Sequence, residues 1–294
     1  MTFLTLLICL LCNHYWLRRR RLSIEAWFSG WYRWLERRST RGASRWLPHP
    51  AVFVLILCVI PVLPLAVLLW AVDGLLLGVP ALLIHILVLL HTMPRTNLGR
   101  LMEDYLFRWR QGDYESAYRY VEQQEPEAFE RQPSDYSCLN QQFFDFVLFN
   151  TFVRVFALIF WYVLLGPVAA LAYWTLDRTR VEATDLGVAQ VAHLLTGLLE
   201  WIPARLVAVG FALAGDFVAG FSKLRERLLH GPTDLANQAL LKNCVLASMG
   251  QPGGAALPTD YAFRAAWDLA ALHGLLVRTQ AVWVIVLALL ILVV

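Results

Sequence analysis

Six polar residues stand inside or beside stretches otherwise apolar enough to cross a membrane: Asp145, Asn150, Arg154, Glu200, Arg205 and Asp216. Charged groups at membrane depth are costly and normally face a protein interior or a water-filled cavity. These six are therefore the candidate ligand-binding residues. Converging, they would form a pocket at the cytoplasmic or mid-membrane level able to hold an anionic or zwitterionic amphiphile. Three of them share the stretch Leu194 to Phe221, which Pro203 interrupts. On one continuous helix the eleven residues from Arg205 to Asp216 span about 16 Å, which excludes a direct ion pair. His193 and Glu200, seven apart, fall on one face two turns from each other. Ala204, Ala208, Ala212, Asp216 and Gly220 recur every four residues. Such a small-residue stripe suits close helix packing, within the protomer or against another copy, and places Asp216 on a packed face. The stretch fits two readings equally, a polar site at a broken helix or a re-entrant, interface-tilted helix with charges at its ends.

Other reactive side chains offer less. Cys9-x-x-Cys12 has redox spacing but lies in an apolar segment without the polar surroundings that lower a thiol pKa. Cys58, Cys138 and Cys244 suggest no disulfide framework. His85 and His91, six apart, point to different sides of a helix and read as polar interior or interface residues. No metal-ligand set is recognised, and no residue pattern identifies a cofactor. The chain has no Walker A loop, GxGxxG turn, GxSxG elbow, HExxH pair or EF-hand loop.

The elements that would position these residues are membrane helices. The 294 residues are 59% hydrophobic and only 16% charged, with a mean hydropathy of +0.54, whereas soluble domains are about a quarter charged. The expected fold is an all-α polytopic membrane protein with four to six transmembrane helices, broken or amphipathic helices and cytoplasmic helical hairpins. Its spans are expected at about 1–17, 51–72, 75–93, 152–176, 194–217 (possible as a re-entrant segment) and 279–294, in a single membrane domain. Arg18-Arg19-Arg20-Arg21 follows the first apolar run and places segment 18–50 in the cytoplasm. Segments 94–150 and 222–279 fall on the same side, with Met1 outside.

Nine arginines between Arg18 and Arg45 are interleaved with Trp27, Trp31, Tyr32, Trp34 and Trp46. With a net charge of only +3, this patch reads as an interfacial helix with snorkelling Arg and anchoring Trp, and nucleic acid is not expected as a partner. In the polar region, Leu98, Leu101, Met102, Tyr105, Leu106 and Trp109 recur at helical spacing. Gly112 then ends the pattern and Asp113 caps a second helix carrying Ala117, Tyr118 and Val121. Glu122 to Glu130 reads as exposed loop. Gly166-Pro167 marks a break in the strongest span. Thr233 to Met249 reads as a capped amphipathic helix.

Several runs carry a family resemblance. Phe160-Trp-Tyr-Val-Leu-Leu-Gly-Pro-Val-Ala-Ala-Leu-Ala-Tyr173 resembles a membrane segment of AmpE, the inner-membrane protein encoded with the AmpD amidase. Glu200-Trp-Ile-Pro-Ala-Arg-Leu206 resembles an acidic-Trp-x-Pro-x-Arg element shared with the related CobD/CbiB proteins of cobalamin biosynthesis. Phe211-Ala-Leu-Ala-Gly-Asp-Phe217 and the Gly-Asp junction in Trp109 to Ala117 are similar to AmpE. His49-Pro50 resembles the start of the second span in CobD/CbiB. The resemblance covers essentially the whole chain. It implies a bacterial inner-membrane, multi-pass accessory or sensory-transducer protein linked to β-lactamase induction and cell-wall (peptidoglycan) recycling.

CobD/CbiB enzymes carry an acidic series where this chain has Asp145-Phe-Val-Leu-Phe-Asn150 and Val153-Arg154, so only Asp145 and Asn150 correspond. That loss weighs against an enzyme. The alternative is a membrane enzyme or transporter of the superfamily acting on a cell-wall, lipid-linked or corrinoid ligand. The expected partners are membrane lipids together with a cytoplasmic protein or a muropeptide or nucleotide ligand, and self-association is open.

Overall fold

A computed structural model describes residues 26–41, 49–72, 78–93, 98–129, 133, 135–228, 231–250 and 261–293. The expected first span, the Arg18–Arg21 cluster and the Cys9/Cys12 pair lie outside the described residues. The helices in chain order are α1 (Ala26–Arg41), α2 (Pro50–Val72), α3 (Val79–Thr92), α4 (Leu98–Arg110), α5 (Tyr114–Gln124), α6 (Tyr136–Thr151), α7 (Leu158–Glu182), α8 (Leu186–Ala214), α9 (Phe217–Arg227), α10 (Asp234–Ser248) and α11 (Tyr261–Val293). No strand occurs among the described residues. Four stretches are long and apolar enough to cross a membrane: Pro50–Val72, Tyr136–Glu182, Leu186–Ala214 and Phe263–Leu289. The protein is an all-α polytopic membrane protein.

The helices sort into two compact units. The first comprises Met1–Arg95, Ala157–Pro203 and Gly231–Asn237, and the second Thr96–Phe156, Ala204–His230 and Gln238–Val294.

In the first unit α2 and α3 pack on α7. Pro61 and Pro64 lie inside α2, whereas Pro80 sits in the opening turn of α3, where its missing N–H costs no helical bond. Helix α3 has 14 residues, about 21 Å of rise, and falls short of the roughly 20 residues that a span requires. Polar groups on α3 are matched. His85 Nδ1 lies 3.1 Å from the Tyr162 hydroxyl, and His91 Nε2 accepts from Trp27 Nε1 at 3.1 Å.

Helix α1 buries Phe28, Tyr32 and Leu35 against this unit. Ser29 Oγ donates to Glu182 at 2.5 Å, the Thr184 amide donates to the Tyr32 hydroxyl at 3.3 Å, and the Thr184 hydroxyl bonds Glu36. A Cβ at Gly187 would lie 2.9 Å from Pro50. The α7–α8 turn therefore shares one end of the unit with α1 and the entrance of α2. Strict alternation over six crossings would put residues 177–193 on the side opposite to 18–50, and these contacts do not follow it.

The stretch Tyr136–Glu182 is also longer than one crossing needs. Its 47 residues would extend about 70 Å as a straight helix, more than twice a hydrocarbon core of about 30 Å. Two irregularities interrupt it, a π-helical turn at Phe152–Ala157 and a non-helical Gly166. Helix thus starts at Tyr136, sixteen residues ahead of the expected span. Gly166 has φ 79° and ψ −167°, a region that is essentially restricted to glycine. Gly166→Ala is expected to cost about 1–3 kcal/mol. Thermal unfolding of the detergent-solubilised variant measures this, and an unchanged midpoint would contradict the strained backbone.

In the second unit α4 and α5 form the expected hairpin. Leu101, Met102, Tyr105, Leu106, Trp109, Ala117 and Val121 are buried. Gly112 takes φ 79°, and Asp113 Oδ1 accepts from the Ser116 amide at 3.0 Å. The acidic stretch that follows is not an exposed loop throughout. Its first residues finish α5, Pro126–Ala128 forms a 3-10 turn, and Glu125 and Ala128 are buried. Helix α10 begins as expected, with Thr233 Oγ1 accepting from the Ala236 amide, and α11 runs unbroken from Tyr261 to Val293.

Candidate functional site

The first unit contains a network of polar and charged side chains on α7, α8 and α10. Helix α7 contributes Tyr173, Asp177, Arg178 and Arg180. Helix α8 contributes His193, Thr196 and Glu200, and α10 contributes Asp234 from its first turn. Arg180 is the hub. Its Nη2 donates to Asp177 Oδ1 at 2.6 Å, and its Nη1 lies 3.3 Å from Asp234 Oδ2 and 3.8 Å from Glu200 Oε1. Tyr173 donates to Glu200 Oε1 at 3.0 Å. Arg178 Nη2 stands 3.6 Å from Asp177 Oδ2. Asp177, Arg178, Glu200 and Asp234 are buried.

The spacing explains why these residues meet. Asp177 and Arg180 are three apart, neighbours on one helical face. His193, Thr196 and Glu200 follow at i, i+3 and i+7 and line one face of α8. The antiparallel turn at Ala183–Asp185 brings the two faces together. Asp234 arrives from far along the chain and needs a close approach to α8, which Gly197 provides. A Cβ there would lie 2.9 Å from the Asp234 amide nitrogen and 3.1 Å from the Pro232 carbonyl. Asn237 secures the approach by donating to the Gly197 carbonyl at 2.9 Å.

His193 is the most exposed residue of the network. His193 Nδ1 lies 2.6 Å from Asp234 Oδ2, and the His193 side chain is 53% exposed while that of Asp234 is 9% exposed. Three carboxyl groups (Asp177, Glu200, Asp234) face two guanidinium groups (Arg178, Arg180), with the His193 ring against Asp234 at the exposed end. Buried charge is normally paired, and the two guanidinium groups supply that pairing here. The arrangement links the exposed His193 through Asp234 and Arg180 to Glu200 inside the helix pair. Cys244, elsewhere and buried, has its thiol pushed up to about 11 by desolvation. Among the described residues no three His, Cys, Asp or Glu side chains are grouped to hold a metal ion.

Of the six residues singled out from sequence, Glu200 belongs to this network and to the first unit. The other five lie in the second unit, each with its own surroundings. Asp145 pairs with Lys242 at 2.7 Å. Asn150 stands at the end of α6, its Nδ2 buried with no hydrogen-bond partner among the described residues. Arg154, in the π-helical turn, lies 3.5 Å from Glu127. Arg205 is buried and donates to the Leu228 carbonyl at 2.9 Å. Asp216 is exposed and caps α9 by accepting from the Ala219 amide at 3.0 Å.

The packed-face position expected for Asp216 is therefore corrected. Helix α8 passes through Pro203 but ends at Ala214, so the four-residue stripe does not continue on one helix. Ala204, Ala208 and Ala212 are fully buried, and Gly220 comes back over Ala212, where a Cβ would lie 3.2 Å from the Ala212 Cα. Sequence reasoning missed Tyr173, Asp177, Arg178, Arg180 and Asp234. The available signal was the density of charge in Asp177-Arg178-Thr179-Arg180 directly after an apolar run in a charge-poor chain.

Charged side chains buried between apolar helices mark the candidate functional site of a multi-pass membrane protein. This chain belongs to the AmpE family. The family model described as "Regulatory signalling modulator protein AmpE" matches residues 1–224, a range that includes every member of the network except Asp234. The comparisons with curated proteins and with solved structures returned no match.

Proposed function

We propose that the protein acts in a bacterial inner membrane as a regulatory transducer linked to β-lactamase induction and peptidoglycan recycling, and that the Arg180 network is the element that responds to its signal. Membership of a regulatory signalling family supports the first half. The observation that carries the second is the half-exposed His193 at the mouth of an otherwise buried ion network, 2.6 Å from Asp234. A cytoplasmic protein partner, or a muropeptide or nucleotide ligand presenting a cationic group, would compete with His193 for Asp234 and so alter the hold of Asp234 on α8. The reading requires no catalysed reaction.

The test is genetic. In a host lacking its own copy of the gene, the chain or an empty vector is introduced, and β-lactamase activity is measured before and after exposure to an inducing β-lactam. The induced level is expected to differ severalfold between the two. Equal induction, with the protein present in the membrane, would remove the link to β-lactamase regulation.

A further inference from the structure

Helix α1 presents two arcs of opposite character. At 100° per residue, Phe28, Tyr32 and Leu35 cluster within about 60° and are buried. Trp27, Gly30, Arg33, Trp34, Arg37 and Arg38 occupy the opposite arc and are exposed. Trp27 and Trp34 retain 40% and 44% of their surface. The Arg38 guanidinium lies 4.3 Å over the Trp34 ring, and Trp34 stacks on Trp31 at 5.0 Å. The exposed arc holds three cations and no acid, since Glu36 is turned to Thr184.

The level at which this arc sits decides what it meets. Tyr32 packs against Phe53 at a ring separation of 5.7 Å, three residues into α2, which is a spanning helix. Two residues further on, α2 shows Leu55 at 61% exposure, a surface suited to acyl chains. The outer arc of α1 is thus held where a spanning helix enters the hydrocarbon. Tryptophan is at home at that boundary, and arginine reaches from it to the phosphates.

We propose that the outer arc of α1 docks on the anionic phospholipid surface of the membrane that the protein spans, with Arg33, Arg37 and Arg38 on lipid phosphates and Trp27 and Trp34 at the headgroup boundary. Each arginine at an anionic surface favours association by roughly fivefold. Because Ser29, Tyr32 and Glu36 on the other arc hold the α7–α8 turn, lipid charge acts on the segment that carries Arg180.

Gly30 allows a direct test. It lies in the middle of the outer arc, and a Cβ there meets nothing within 4 Å. Gly30→Cys is placed in the full chain with the native cysteines replaced, labelled with a fluorophore and reconstituted into nanodiscs. Quenching by headgroup-proximal doxyl-phosphatidylglycerol is compared with quenching by doxyl-phosphatidylcholine at equal mole fraction. The anionic quencher is expected to be roughly fivefold or more effective, and Arg33→Gln/Arg37→Gln/Arg38→Gln to bring the two to parity. Equal quenching of the unmodified arc by both lipids would overturn anionic recognition. Absence of quenching by either would show that a protein or a second copy covers the arc, or that it faces water, and would overturn the proposal outright. Should the triple variant fail to fold, the comparison of the two lipids on the parent chain decides alone.

Discussion

Arg180→Ala is expected to be the most damaging single substitution in the chain, costing about 3–5 kcal/mol. Arg180 reaches Asp177, Asp234 and Glu200 at 2.6, 3.3 and 3.8 Å. Without it, the three buried carboxyl groups are left with Arg178, at 3.6 Å from Asp177, the Tyr173 hydroxyl on Glu200 and the partly solvated His193 on Asp234. Removing one partner from a buried ion set is worse than never having had the set, because the desolvation already incurred is no longer offset. Two companion variants separate charge from geometry. Arg180→Lys restores the charge but not the planar fork, and is expected to fall between alanine and wild type. Adding Glu200→Gln to Arg180→Ala removes one of the stranded charges and is expected to recover part of the loss. Denaturant or SDS unfolding of purified protein measures all three. Arg180→Ala unfolding like wild type would mean that the network holds nothing together.

Gly215→Ala is expected to come close behind, at about 3 kcal/mol, the upper end of what inserted methyl groups usually cost in a packed interior. Gly215 stands where α8 ends, and a Cβ there would lie 2.2 Å from the Ser248 carbonyl oxygen and 3.0 Å from its carbon. Those are backbone atoms, and the same carbonyl accepts the Asp216 amide at 2.9 Å. Relief therefore requires moving α10 or the α8–α9 corner. Gly220→Ala meets the same residue differently, at 2.3 Å from the Ser248 hydroxyl, a side-chain atom that can rotate away or be deleted. Ser248→Ala is expected to rescue Gly220→Ala substantially and Gly215→Ala not at all. Rescue of both, read as unfolding midpoints, would contradict the backbone clash.

The contrast between these two sites shows what could be read in the sequence. The α4–α5 hairpin was legible because its apolar period is interrupted by Gly112-Asp113, where a left-handed glycine and a capping carboxylate state the turn in two residues. Gly166-Pro167 was legible for a similar reason. The corner at Gly215 was not. The small residues keep their four-residue period from Ala204 to Gly220, so the pattern runs on where the helix stops, and Asp216 passed for a packed residue although it caps α9. Close approach to Ser248 is a tertiary demand that leaves no mark on the local sequence.

The ion network divides in the same way. Glu200 stood out as an acid in an apolar stretch, with His193 two turns away on the same face. Asp177, Arg178 and Arg180 did not stand out, because charges at the end of an apolar run are what the membrane surface normally requires. Only the fold reveals that the α7–α8 turn buries them. Asp234 was the least accessible of all, since it joins through Gly197 from another part of the chain and looks locally like the start of an amphipathic helix.

The most direct test of the regulatory role is made at His193. Its side chain is half exposed and makes one ion contact, at 2.6 Å to Asp234, so His193→Ala is expected to change stability by no more than about 1 kcal/mol. Inducible β-lactamase activity is then compared in cells carrying wild-type or His193→Ala protein at matched membrane levels. The account expects the variant to shift the induced level severalfold while unfolding like wild type. Induction identical to wild type in a folded, normally abundant variant would contradict it and leave the Arg180 network with a structural role alone.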